Sequence, residues 1–312
     1  QPSKGADLYT HLDIDAQKSA AQFLGNRKGA VVAIDLQSGG VNVLYSAPTF
    51  SINKLSNGMS DQEFQLLIKN AEKPFFNRAL QGRYPPASTI KPAIGMFGLA
   101  NDIVDWEYQI KDPGFFTLPE TGRIYRGWRK GGHGKVNMRK AILVSSNTYF
   151  FSLAHQSDII QLAQHLSSLG FGTKICSDCF EEDKVFVPTP GWKYSMMNAG
   201  WVTGDTVNLG IGQGYLVTTP MQLANYASIL ANKGKAIEPS LVVAGNQKKP
   251  FRTWKNEGFA NLDWEKMHEA LTGVIESDFG TARSIRSLKT FQVAGKSGTA
   301  ELVSLDSKEA YQ

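Results

Sequence analysis

Ser88 and Lys91 stand three residues apart, directly after Tyr84-Pro85-Pro86-Ala87. The Pro-Pro pair stiffens the backbone, and the apolar pattern that follows predicts a helix from about Ser88 to Ala100, so both side chains share one face at a helix start. A serine hydroxyl attacks poorly unless a base lies within hydrogen-bond reach. A lysine desolvated among other cations can lose its proton near neutral pH and serve as that base. The free N–H groups and the dipole of a helix N-terminus also favour an oxyanion near Ser88. Two further polar clusters follow, Ser145-Ser146-Asn147 and Lys296-Ser297-Gly298-Thr299. Ser145 offers a proton shuttle to a leaving group and Asn147 an amide to orient a substrate backbone. Lys296 adds the cationic field that holds Lys91 neutral, and Gly298 permits close backbone approach. Taken singly, each cluster also reads as something plainer: a serine helix cap with an exposed lysine, a polar kink or helix surface, and a turn. Their order along the chain and their contexts point to acyl transfer through a serine nucleophile.

Several elements must position these residues. A capped helix is predicted over 12–25, with Asp13 or Asp15 as its N-cap. Two β-branched runs within 29–48 flank Ser38-Gly39-Gly40 and predict a hairpin. A short amphipathic helix falls near 61–72, and helical patterns recur at 137–155, 158–168, 219–233 and 263–276. Stretches 119–135 and 187–205 read as Gly- and Pro-rich connections, and 291–303 as a late strand. A hairpin early, helices in the middle and a strand late predict a mixed α/β (α+β) fold, an antiparallel sheet flanked by helices.

The bulk properties bound the rest. At 312 residues, with 42% hydrophobic and 20% charged residues, the chain can bury a full core. No apolar run approaches the roughly 20 residues of a membrane span, and no signal-peptide pattern opens the chain. Its first residues read as a piece of something longer. The formal charge of +5 fits mild attraction to an acidic polymer or membrane surface. No basic, aromatic-interleaved stripe and no finger spacing supports nucleic-acid binding. Cys176 and Cys179 form a lone C-x-x-C, too sparse for a zinc ribbon and without a thioredoxin-like context; bridged and free states both remain open.

Together, S-x-x-K, S-x-N and K-S-G-T are a known trio of β-lactamases and penicillin-binding proteins. With RALQGRYPPASTIKP, DPGFFTLPETGRIYRGWRKGGHGKVN, GDTVNLGIGQGYLVTTPMQLA and AGKSGTAE, which cover distinctive parts of the chain, the sequence resembles the transpeptidase domain of class B penicillin-binding proteins. It is most similar to their elongation-specific penicillin-binding protein 2 branch in Gram-negative bacteria. The resemblance implies the fold of penicillin-recognising serine transpeptidases and β-lactamases, and a peptidoglycan D,D-transpeptidase without cofactor. Ser88 would form the acyl-enzyme with a D-Ala-D-Ala stem peptide and Lys91 would be its base. Ser145 and Lys296 would relay the proton, and Asn147 would hold the donor. Ser297 and Thr299, across Gly298, would bind the terminal carboxylate, and the N–H groups of Ser88 and Thr299 would form the oxyanion hole. β-Lactams would acylate the same serine.

The resemblance implies more about context. Implied partners are stem peptides, β-lactam antibiotics, a RodA-like glycan polymerase and the elongation machinery, at the periplasmic face of the inner membrane through an anchor outside this sequence. Residues 1–312 would be one transpeptidase domain, with 1–12 as a linker. The family continues past the K-S-G-T stretch with two more strands and a C-terminal helix, so the domain's end is expected to be missing here. Some relatives hold zinc beside the site with two Asp, a His and a Cys. Asp112 and His133 match two of those positions, whereas Gly127 and Ser146 occupy the others, so no metal is expected. A serine β-lactamase is the nearest rival, but no E-x-x-x-N segment is placed to activate a deacylating water. A D,D-carboxypeptidase and a non-catalytic β-lactam sensor share the fold; the latter need not keep Ser145, Asn147 and Lys296 together.

Overall fold

A computed structural model of the chain describes residues 5–243, 254–255, 262–288 and 290–300. The chain divides into two compact units, each assembled from three separate segments. The first unit takes residues 1–83, 167–186 and 218–256. It opens with helix α1 (Ile14–Leu24), whose N-cap is Asp13, accepting from the N–H groups of Asp15 and Ala16. Strands β1 (Gly29–Ile34) and β2 (Val41–Ala47) form the expected antiparallel hairpin. Asp35 shapes its turn by accepting from Gln37 N, Ser38 N and Ser38 Oγ. Helices α2 (Ile52–Ser56), α3 (Asp61–Lys69) and α4 (Arg78–Gln81) follow. The Ser60–Glu63 capping box sets the start of α3.

The first unit's core gathers Val41, Leu80, Cys176, Cys179 and Met221. Met221 comes from helix α11 (Pro220–Ala231), and Cys176 and Cys179 are bridged to each other. Asp178, between them, accepts from Ser240 Oγ and from the N–H groups of Leu241 and Val242. Isolated bridges Thr10–Val242 and Gly40–Ser240 therefore tie a late segment to the early hairpin region. Strands β7 (Lys235–Ala236) and β8 (Trp254–Lys255) pair antiparallel.

The second unit takes residues 84–166, 187–217 and 257–312. Apart from Lys91, helix α5 (Lys91–Ala100) is apolar, and it is buried from Lys91 to Gly98, as are Phe150 and Leu153 of α7 (Asn147–His155). Around them lie α6 (Met138–Leu143), α8 (Ile159–Ser168), α9 (Pro190–Met197), α10 (Thr203–Leu209) and α12 (Trp264–Glu276). Short ladders pair β3 (Ile110–Asp112) with β6 (Gly134–Val136), and β4 (Phe115–Thr117) with β5 (Ile124–Arg126). Among the described residues no helix is long and apolar enough to cross a membrane.

Three expectations need correction. The single helix over 137–155 is two, because Ser145 takes a φ of +55° and ends α6. The stretches at 119–135 and 187–205 carry β5, β6, α9 and the start of α10; Thr189 and Pro190 are an N-cap and a first-turn proline that signal α9. Residues 291–300 form no ladder, since a strand needs a partner and none pairs with them among the described residues; 301–303 lie outside those residues.

Candidate active site

All three polar clusters fall in the second unit. Ser88 sits in a 3₁₀ turn, Ala87–Ile90, and Lys91 is the first residue of α5. The expected α-helical face is thus a tighter one: with three residues per turn, side chains at i and i+3 lie directly in line. Two features force the turn. Ala87 takes a φ of +48°, a left-handed conformation costing about 1–2 kcal/mol for a residue with a Cβ. Ala87 N also donates to Gly212 O at 2.9 Å. Gly212 must be glycine, because its φ is +70° and a Cβ there would collide with the backbone of Ala87.

Lys91 is fully buried. Its Nζ lies 2.8 Å from Ser145 O, 3.2 Å from Ser145 Oγ and 2.6 Å from Asn147 Oδ1. Burial drives its pKa well below the ordinary lysine value, the Lys296 cation pushes the same way, and Asp112 opposes both. Lys296 Nζ approaches the other side of Ser145 Oγ at 3.0 Å and donates to Ser297 O at 2.9 Å. Burial lowers the Lys296 pKa to about 8. One hydroxyl therefore stands between two amines of unlike proton affinity. Below about pH 8 Lys296 is charged and donates to Ser145 Oγ.

The Lys296–Thr299 cluster is partly assembled. Ser297 Oγ is 2.6 Å from Thr281 Oγ1. A Cβ on Gly298 would sit 2.8 Å from Thr89 Cγ2 and 3.2 Å from Pro86 O, so this backbone runs close beside the turn that carries Ser88. Thr299 is exposed.

Asp112, weighed above only as a metal position, has another part. Its buried carboxylate accepts from Ser146 Oγ (2.6 Å), Thr148 Oγ1 (2.7 Å) and Gly114 N (2.8 Å), and its Oδ2 lies 2.8 Å from His133 Nδ1. Burial would raise this carboxyl, but the bonds from Ser146, His133, Thr148 and Gly114 hold it below the usual range. A zinc fits poorly: the carboxylate is already saturated, Ser146 spends its hydroxyl on it, and Gly127 has no side chain. The network instead clamps the residues on either side of Asn147. Trp128 was also missed; its Nε1 donates to Val144 O (3.3 Å) and Ser145 O (3.2 Å). Neither residue carries a local signal, since Asp112 lies 34 residues from its partner Ser146.

Comparison with known proteins follows the same line. The family model of the penicillin binding protein transpeptidase domain matches residues 29–312. The peptidoglycan D,D-transpeptidase MrdA of Acinetobacter baumannii is 43% identical over 317 aligned residues, covering 99% of this chain and 47% of that relative. The chain thus spans about half the length of the curated relatives it matches. Pseudomonas aeruginosa PBP2, solved in complex with WCK 5153, superposes with a TM-score of 0.88 at 35% identity, over 96% of this chain and 66% of that one. Helicobacter pylori PBP2, solved in complex with MreC, gives a TM-score of 0.85 at 29% identity, over 95% of this chain and 55% of that one.

Proposed function

The chain belongs to the penicillin-binding protein transpeptidase family, and from that premise we propose that it carries the acyl-transfer site of a peptidoglycan D,D-transpeptidase of the MrdA type. The observation that carries the reading is the line Lys91–Ser145–Lys296, two lysines of lowered pKa joined by one hydroxyl.

Ser88 Oγ bonds to the carbonyl carbon of the penultimate D-Ala of a donor stem peptide while its proton passes to Lys91 Nζ. Negative charge on the carbonyl oxygen is met by the N–H groups of Ser88 and Thr299. The C–N bond to the terminal D-Ala then breaks, and the departing amine takes a proton relayed from Lys296 through Ser145 Oγ. Asn147, its Oδ1 held by Lys91, turns its NH₂ towards the donor backbone. Ser297 and Thr299 take the terminal carboxylate, with Gly298 letting this segment pass close to the Ser88 turn. An acceptor amine attacks the ester, the C–O bond to Ser88 breaks, the proton that the amine loses restores the Ser88 hydroxyl, and the proton held by Lys91 returns to Lys296 through Ser145 Oγ. β-Lactams imitate the donor and stay on Ser88 as an ester.

The proposal extends to the working context. A penicillin-binding protein 2 solved with MreC supports placing this one among elongation proteins, with a RodA-like glycan polymerase as partner, at the periplasmic face of the inner membrane. Labelling with a fluorescent penicillin, followed by intact mass over hours, tests the reading. A long-lived adduct on the wild type that is absent in Ser88→Ala is the expected result. An adduct that clears within seconds would instead indicate a β-lactamase, and none on folded protein would sink the proposal.

A further inference from the structure

Between Thr121 and Ser157 the chain holds seven Lys or Arg residues and no Asp or Glu. The net charge of +5 conceals this segregation, and glycines interrupt it, so it does not read as a basic stripe. Part of the charge is used within the fold. Lys140 Nζ donates to His133 O and Lys135 O at 2.9 Å, Arg139 Nε lies 3.9 Å from Glu269, and Arg123 lies over the Tyr125 ring. Arg126, Arg129 and Lys130 are exposed, and among the described residues none of them pairs with a carboxylate.

Arg126 closes β5, and Arg129 and Lys130 lie on the well-seated turn that follows it. Gly127 N donates to Gly114 O at 2.7 Å, His133 N to Asp112 O at 3.1 Å, and the Arg129 and Lys130 carbonyls pack where a side chain on Gly114 would stand. Trp128, among them, is 60% exposed, yet its Nε1 is fastened to Ser145 O, the oxygen that also accepts from Lys91. Like charges carried within five consecutive residues repel one another, and an anionic ligand relieves that repulsion. The indole adds a flat apolar face beside them.

We propose that Arg126, Arg129 and Lys130, with Trp128 among them, form a substrate subsite that binds the side carboxylates of a peptidoglycan stem peptide. This rests on the transpeptidase reading and extends it: the terminal carboxylate goes to Ser297 and Thr299, and the remaining ones to this rim. An anionic bilayer would also attract the three charges. The bond from Trp128 to the Ser145 turn favours the substrate, because a membrane patch has no need to be tied to reacting groups.

The test compares Arg126→Gln/Arg129→Gln/Lys130→Gln with a charge-matched control, Lys54→Gln/Lys69→Gln/Lys235→Gln, whose lysines are exposed in the first unit. D-Ala release is measured on a stem pentapeptide with free side carboxylates and on the same peptide with them amidated, at low and high salt. The rim variant should raise KM for the free peptide about tenfold, the sum expected for three exposed charge contacts. It should leave KM for the amidated peptide unchanged and flatten the salt dependence, while the control alters none of these. The single Arg129→Gln should move KM the same way by a smaller factor. Equal effects on both peptides, or an unchanged KM, would overturn the subsite. So would a loss confined to binding phosphatidylglycerol vesicles, which would assign the rim to a membrane. Penicillin acylation separates the two readings: a wild type that penicillin does not label sinks the transpeptidase reading and the subsite with it. A labelled wild type with an unchanged KM in the rim variant sinks the subsite alone.

Discussion

Lys91 and Lys296 differ in what lowers their pKa, and that difference predicts a pH profile. Burial dominates at both, but at Lys91 the Lys296 cation adds to it. Acylation should therefore need Lys91 neutral and Lys296 charged, giving an alkaline limb near pH 8, where Lys296 loses its proton. In Lys296→Gln the cationic push on Lys91 is gone, so the Lys91 pKa rises and the acid limb of acylation moves to higher pH. The alkaline limb disappears, and the rate falls about a hundredfold or more. A pH–rate profile of penicillin acylation reads both limbs; an acid limb that stays in place or moves down would refute the electrostatic coupling. These residues were legible in the sequence because each motif is local and keeps its order. Asp112, Thr148 and Trp128 were not, because their roles arise only when segments distant in sequence meet.

At the scale of elements, the site depends on backbone that resists regular structure. Ser145 ends a helix in the left-handed region, and Ala87 takes the same backbone conformation one residue before Ser88, where the 3₁₀ turn begins. Apolar periodicity over 137–155 shows a continuous helix because the buried face continues in phase through the break, so the pattern alone could not reveal it. The plainer reading of Ser145-Ser146-Asn147 as a kink and the catalytic reading describe the same turn. Gly212 tests the idea that the turn carrying Ser88 is braced from outside. Gly212→Ala places a methyl against Ala87 at a φ of +70° and should destabilise the protein by about 2 kcal/mol or more. Thermal unfolding and acylation rate should fall together. A variant of wild-type stability and rate would show that Gly212 is not needed to hold Ala87.

Across the whole molecule, family and fold class were readable from the motifs, whereas the division into two interleaved units was not; nothing in composition marks the crossings at 83, 166, 186, 217 and 256. The Cys176–Cys179 bridge lies in the first unit's core beside Leu80 and Met221. By loop-closure entropy a bridge this short is worth about 2 kcal/mol, so Cys176→Ser/Cys179→Ser should lower the unfolding temperature measured by calorimetry, and reductant should lower it only in the wild type. An unchanged transition would mean that the pair contributes nothing to stability. The interleaving has a further consequence during synthesis. Each unit draws on a third, late segment, so the early hairpin must wait for residues near 240 and Ser88 must wait for Lys296. Neither half can be inherited by simple gene fusion or released by one cut, so a lineage that keeps one unit has to carry the other with it.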